Sequence, residues 1–78
     1  MEIWDEVRDD LRQLMTPENF NQWFAPTVAR GLIDGELCVQ VPDSLHLGWL
    51  DQRLRPRVHE ALARLEYTDV RVTFMLSA

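Results

Sequence analysis

Apolar residues recur at helical spacing along the first fifteen positions. Ile3, Trp4, Val7, Leu11, Leu14 and Met15 fall within roughly 120° of a helical wheel, which predicts a first helix over 2–15. Trp4 and Met15 lie at one margin of that stripe, flanked by Arg8 and Arg12. Glu2, Asp5, Glu6, Asp9 and Asp10 load the early turns with negative charge, where the helix dipole favours it. Thr16-Pro17 then reads as a second helix start, a hydroxyl cap followed by proline at the first helical position. Phe20, Trp23 and Phe24 share a face at i, i+3, i+4, and Pro26 ends a helix expected over 17–24.

After Pro26 the period changes to two. Residues 27–33 and 36–41 read as strands around Asp34-Gly35, a tight-turn pair. Leu37, Val39 and Val41 alternate with Glu36, Cys38 and Gln40, and Pro42 closes the strand. Asp43 or Ser44 caps a third helix over about 44–65, whose stripe is Leu47, Leu50, Leu54, Val58, Ala61, Leu62 and Leu65. Pro56 falls inside it and should bend or split it near Arg55. Val70, Val72, Phe74 and Leu76 then alternate as a third strand. The order is helix, helix, strand, strand, helix, strand. Helices gathered on one face of a three-stranded sheet make an α+β fold.

Length bounds the problem: 78 residues form one domain, 1–78, which buries only about 60% of its unfolded surface, so each aromatic matters. No repeat, low-complexity tract or linker is present. The chain starts within a helix pattern and ends within a strand pattern, as an excised domain would. It also begins with Met1, as a free-standing homologue would. No apolar run is long enough to span a membrane and no signal peptide is visible, so the cytoplasm is the expected location. The single cysteine, Cys38, excludes a disulfide framework within the chain and reads as a small buried hydrophobe. The net charge is −5, and all eight basic residues are arginine. An acidic chain is poorly suited to wrapping duplex DNA, so a role in a DNA process would run through protein contacts.

Little in the sequence suggests catalysis. His46 and His59 lack metal-ligand spacing, the three glycines form no phosphate cradle, and no nucleophile sits in a catalytic pattern. No metal, cofactor or enzyme activity is expected. Two surface features stand out instead. Leu45 and Trp49 lie roughly 100° or more off the core stripe of the third helix, one turn apart. Trp49 reads as core against another helix, while Leu45 suits either packing or an exposed docking spot. On the same wheel His46, Arg53, Arg57 and Arg64 fall within about 40°, a stripe that suits a single-stranded nucleic acid, an acidic partner or plain solvation.

The ordered aromatics carry a resemblance. Trp4, Leu11 and Leu14, then Phe20, Trp23, Phe24 and Pro26, then Leu37, Val39, Val41, Pro42 and Asp43, then Trp49 and Leu50 resemble the N-terminal domain of the bacterial replication initiator DnaA over nearly the whole chain. The resemblance implies an α+β fold similar to K-homology domains. It implies an interaction hub that recruits the replicative DnaB-type helicase, binds initiation regulators and associates weakly with itself. ATP binding and origin recognition belong to other domains of such initiators. Trp4 matches the family tryptophan linked to self-association, and its place on the stripe margin suits partial exposure to a second copy. Asn19, with Glu18 before it, stands where enterobacterial members of the family often carry a helicase-contacting glutamate. Asp43, Ser44 and Leu45 stand where an N-x-F segment contacts helicase or regulators, so leucine keeps the apolar knob and loses the ring. Both segments sit at helix starts, which would bring them into one patch. A rival reading is a weak single-stranded nucleic-acid module of K-homology type, using Arg53, Arg57 and Arg64. A third is a free-standing relative that blocks initiation by mimicking this domain.

Overall fold

A computed structural model describes residues 2–77. Helices α1 (Glu2–Arg12) and α2 (Pro17–Trp23) precede strands β1 (Val28–Ile33) and β2 (Glu36–Val41). Then come α3 (Ser44–Trp49), a π-helical stretch (Leu50–Leu54), α4 (Arg55–Arg64) and β3 (Arg71–Leu76). The sheet order is β1-β2-β3, with β1 antiparallel and β3 parallel to the central β2. The fold is α+β with a three-stranded sheet, as the sequence pattern predicts, and the sheet is mixed.

The first helix is shorter than expected. It ends at Arg12, and Leu14 N bonds back to the Leu11 carbonyl in a tightened last turn. Pro17 disfavours helical geometry just before it, so the chain must leave the helix and re-enter it at Thr16. Leu14 consequently lies 58% exposed instead of in the core stripe.

The long third helix is divided where Pro56 demands it. Proline lacks an N–H, and its ring would clash with the carbonyl four residues back, here that of Gln52. The π-helical stretch just upstream widens the backbone and relieves that clash. Arg55 ties the junction to the sheet. Its Nη1 donates to the Val72 carbonyl at 2.7 Å, its Nε to Asp51 at 3.2 Å, and its guanidinium lies 5.2 Å from the Phe74 ring centre.

The core lies between the helices and one sheet face. Leu37, Val39 and Val41 from β2 and Val72 and Phe74 from β3 are buried, together with Val7, Leu11, Leu50, Val58 and Leu62 from the helical layer. Cys38 points to the other sheet face and is half-buried, which corrects the expectation of a fully buried thiol. The strand period of two sends Cys38 away from the helices that bury its neighbours.

Trp4 is the largest fully buried side chain. Its ring meets Phe74 edge-on at 6.2 Å and Phe24 at 6.3 Å. Its indole Nε1 donates to Thr27 Oγ1 at 2.9 Å, and the Thr27 hydroxyl donates to the Phe24 carbonyl at 2.5 Å. Arg8 closes the edge by donating to the Thr27 carbonyl at 3.1 Å. This corrects the expectation that Trp4 is partly available to a second copy. The helical wheel places it at the stripe margin, but the chain entering β1 covers that margin.

Candidate functional site

Helices α2 and α3 position the surface of interest. Each starts with a side-chain cap. Thr16 Oγ1 accepts from Asn19 N at 3.3 Å, and Asp43 Oδ1 accepts from His46 N at 2.8 Å. The caps leave Glu18, Asn19, Asp43, Ser44 and Leu45 all exposed. Leu45 is 65% exposed, so it is a surface knob and not part of the core.

His46 joins the two helices. Its Nδ1 lies 2.8 Å from Asp43 Oδ1 and its Nε2 lies 2.8 Å from the Gln22 carbonyl. The ring also lies 5.1 Å from that of Trp23. Thus Glu18 sits one turn before the Gln22 contact and Asp43 one turn before His46. The bond joins the start of α3 to the last turn of α2. A neutral imidazole has one N–H, whereas here both nitrogens face oxygen acceptors, an arrangement that suits the imidazolium form.

The Asp43 hydrogen bond raises the His46 pKa above its usual 6.5, against the opposing effect of burial, with help from the Gln22 carbonyl. Bonds from the His46 backbone and then its ring lower the Asp43 pKa below 3.8. Asp43 is the charged group facing the ring; α2 offers it the Gln22 carbonyl and the Trp23 ring, neither of which titrates. A raised histidine pKa means stability that is complete below the unfolded value of 6.5 and lost as pH rises through the native value. A lowered carboxylate pKa means stability present above 3.8 and lost as pH falls through the native value. The clasp is therefore strongest in the mildly acidic window between them. NMR titration of the His46 ring is expected to give a midpoint above 6.5, moving downward in Asp43→Asn. A midpoint at or below 6.5 in the unaltered chain would mean that the clasp does not form.

Trp49 is 40% exposed and stacks on Trp23, with ring centres 5.1 Å apart and planes 12° from parallel. The expectation that Trp49 is core is corrected: it packs against a second helix, but at the surface. Its off-stripe position was the available signal, although a wheel cannot show that Trp23 would leave the Phe20–Phe24 face to meet it. Asn19, Trp23, Trp49, Leu54 and Arg57 line a cleft of about 320 Å³ that also borders Leu14–Thr16.

The wheel of the basic stripe joins residues on both sides of the π-helical stretch. It assumes continuous α-helix, and the extra residue in a π turn rotates the downstream residues by about 100°. His46 is engaged in the clasp. Arg64 reaches back to α1, where its Nε lies 3.1 Å from Asp10 Oδ2. Arg53 and Arg57 remain exposed, with no ion-pair partner among the described residues. Also among the described residues, no group of three or more histidine, cysteine or acidic side chains could hold a metal ion, and no helix is long and apolar enough to cross a membrane.

Comparison with known proteins matches residues 1–64 to the DnaA N-terminal domain. The chain belongs to this family. It is similar to the chromosomal replication initiator protein DnaA of Thermus thermophilus, 32% identical over 63 residues, which is 81% of this chain and 14% of that protein. The initiator of Deinococcus deserti is 29% identical over 75 residues, 96% of this chain and 16% of that protein. That of Geotalea uraniireducens is 24% identical over 75 residues, 96% of this chain and 17% of that protein. The chain thus spans less than a fifth of the length of these relatives. The aromatics that carry the DnaA N-terminal domain pattern divide here between the core (Trp4, Phe20, Phe24) and the α2–α3 surface (Trp23, Trp49).

Proposed function

We propose that this DnaA N-terminal domain is a non-catalytic interaction module of a replication initiator, docking the replicative DnaB-type helicase and initiation regulators through Glu18, Asn19, Asp43, Ser44 and Leu45. The observation that carries the reading is Leu45. A 65% exposed leucine stands one turn from the half-open Trp23–Trp49 stack, among polar residues that are themselves exposed. An apolar knob with a polar surround is the pattern of a modest, transient interface. Weak self-association belongs to the same reading. Trp4 would support it only by holding α1 in place, since its ring is buried.

Leu45→Ala tests the assignment. The exposed side chain leaves the fold and its circular dichroism unchanged, while helicase affinity falls by about 1–2 kcal/mol. NMR titration with the helicase of the same organism should move residues 18–19 and 43–45. Unchanged helicase affinity in Leu45→Ala would remove the knob from the interface.

The second reading, a weak single-stranded nucleic-acid module, is favoured by the unpaired Arg53 and Arg57. It requires affinity to fall with salt at a log–log slope near −0.7 per phosphate contact.

A further inference from the structure

We propose that the α2–α3 surface is a groove for one amphipathic helix of a protein partner. An apolar side chain of that helix would seat in the cleft between Asn19, Trp23, Trp49 and Leu54, and carboxylates on its flank would meet Arg53 and Arg57. The inference rests on the reading that this face docks proteins, and it adds the partner's chemistry.

Charge placement is the first observation. In a chain of net charge −5, Arg8, Arg12, Arg55, Arg64 and Arg71 each pair with a carboxylate of the same chain. Arg30 donates to the Gln40 side chain at 2.6 Å. Arg53 and Arg57 are the two described arginines without an acceptor, and both adjoin Trp49 or its cleft. Two cations without a carboxylate of their own chain, beside an open and partly apolar cleft, are complementary to an acidic flank.

The ring geometry is the second observation, and it separates a protein from a nucleic acid. Base stacking needs a free aromatic face. Trp23 has Trp49 stacked at 5.1 Å and His46 at 5.1 Å. Trp49 has Trp23 stacked on it, and the Arg53 guanidinium lies 5.5 Å from its ring centre. Each indole thus gives one face to the other, His46 tilts against Trp23 at 58°, and the Arg53 guanidinium lies over Trp49, so a flat base has less free ring to stack on than an aliphatic or aromatic knob needs for packing. Leu14, 58% exposed, lines the same cleft, and Leu45, 65% exposed, stands one helical turn before Trp49. A floor of this kind, read at intervals of a helical turn, suits the i, i+3, i+4, i+7 anchors of a helix laid in a groove.

The probes are stapled amphipathic peptides of about 15 residues with a leucine-phenylalanine face, identical except for flanks of glutamate, glutamine or lysine. Stapling removes the cost of forming a short helix. Affinities are read from Trp fluorescence and the site from NMR shifts, for the unaltered chain and for Arg53→Glu/Arg57→Glu. The Glu-flanked peptide is expected to bind best, shifting Asn19, Trp23, Leu45 and Trp49. The double variant, folded by circular dichroism because both side chains are exposed and have no ion-pair partner, should lose about tenfold for that peptide and gain for the Lys-flanked one. Equal affinity of the three peptides, shifts elsewhere, or an oligothymidylate outcompeting the Glu-flanked peptide at these residues would overturn the proposal. Helicase titration of the same variant separates the two readings. Helicase binding that Leu45→Ala weakens but the double charge reversal does not would sink the acidic-helix inference alone. Helicase indifference to both, with the peptide preference intact, would sink the helicase assignment alone.

Discussion

Trp4→Ala is expected to remove about 3–5 kcal/mol of stability, the usual cost of deleting a buried aromatic ring from a close-packed core. For a domain of this size total stability is about 4–12 kcal/mol, so this one change is expected to unfold much of the population. The loss has two parts. The ring leaves a cavity among Phe24, Phe74 and the helical layer. The Thr27 hydroxyl also loses the indole donor at 2.9 Å while remaining 1% exposed. Trp4→Phe separates the parts. It keeps most of the apolar volume and gives up the hydrogen bond, so a smaller loss of about 1–3 kcal/mol is expected. Chemical denaturation of the three proteins checks the order. If Trp4→Ala kept the parent stability but dimerised less, Trp4 would be a contact residue at the surface and its burial here would be wrong. Loss of self-association together with loss of fold would instead be the ordinary consequence of removing a core ring.

Gly35→Ala should cost about 2–4 kcal/mol, combining the strain of a left-handed alanine with an overpacked contact. Asp34 and Gly35 have φ of 51° and 78°, the positive pair that a two-residue hairpin between Ile33 and Glu36 requires. Space is short as well. A Cβ at Gly35 would lie 2.9 Å from the Asp69 carbonyl oxygen, a backbone atom that cannot swing away. The Gly35 carbonyl meanwhile accepts from Arg71 N at 2.8 Å, so the hairpin tip also holds the start of β3. Gly35→Asn is the informative companion. Asparagine tolerates positive φ but still carries a Cβ, so it should recover only the strain and not the clash. Thermal unfolding would show Asn between Gly and Ala. Full recovery with Asn would mean that the approach of Asp69 has no energetic weight.

The α+β class, the hairpin, the second helix cap and the break ahead of Pro56 were all legible because each depends on local rules. Thr16-Pro17, Asp34-Gly35 and Pro56 act through the φ angles and hydrogen bonds of their own segments. The alternation of Leu37, Val39 and Val41 assigned the inner face of β2 for the same reason. The exposed α2–α3 face was legible in part. Wheel geometry set Leu45 off the core stripe, and Leu45 is exposed.

The surroundings of single side chains were not legible. A wheel knows the angle of Trp4 but not that the chain entering β1 covers that angle and offers Thr27 to the indole. It cannot pair Trp23 with Trp49, bring His46 to the Gln22 carbonyl, or send Arg64 to Asp10, since these contacts join residues 24 to 54 positions apart. Of the arginine stripe, Arg53 and Arg57 stay exposed without an ion-pair partner among the described residues, while Arg64 turns to Asp10 on α1. Local backbone preference is written residue by residue and can be read in order. Burial, ion pairing and ring stacking arise where distant segments meet, and here those meetings decided that Trp4 serves the core while Leu45, Trp49, Arg53 and Arg57 face outward.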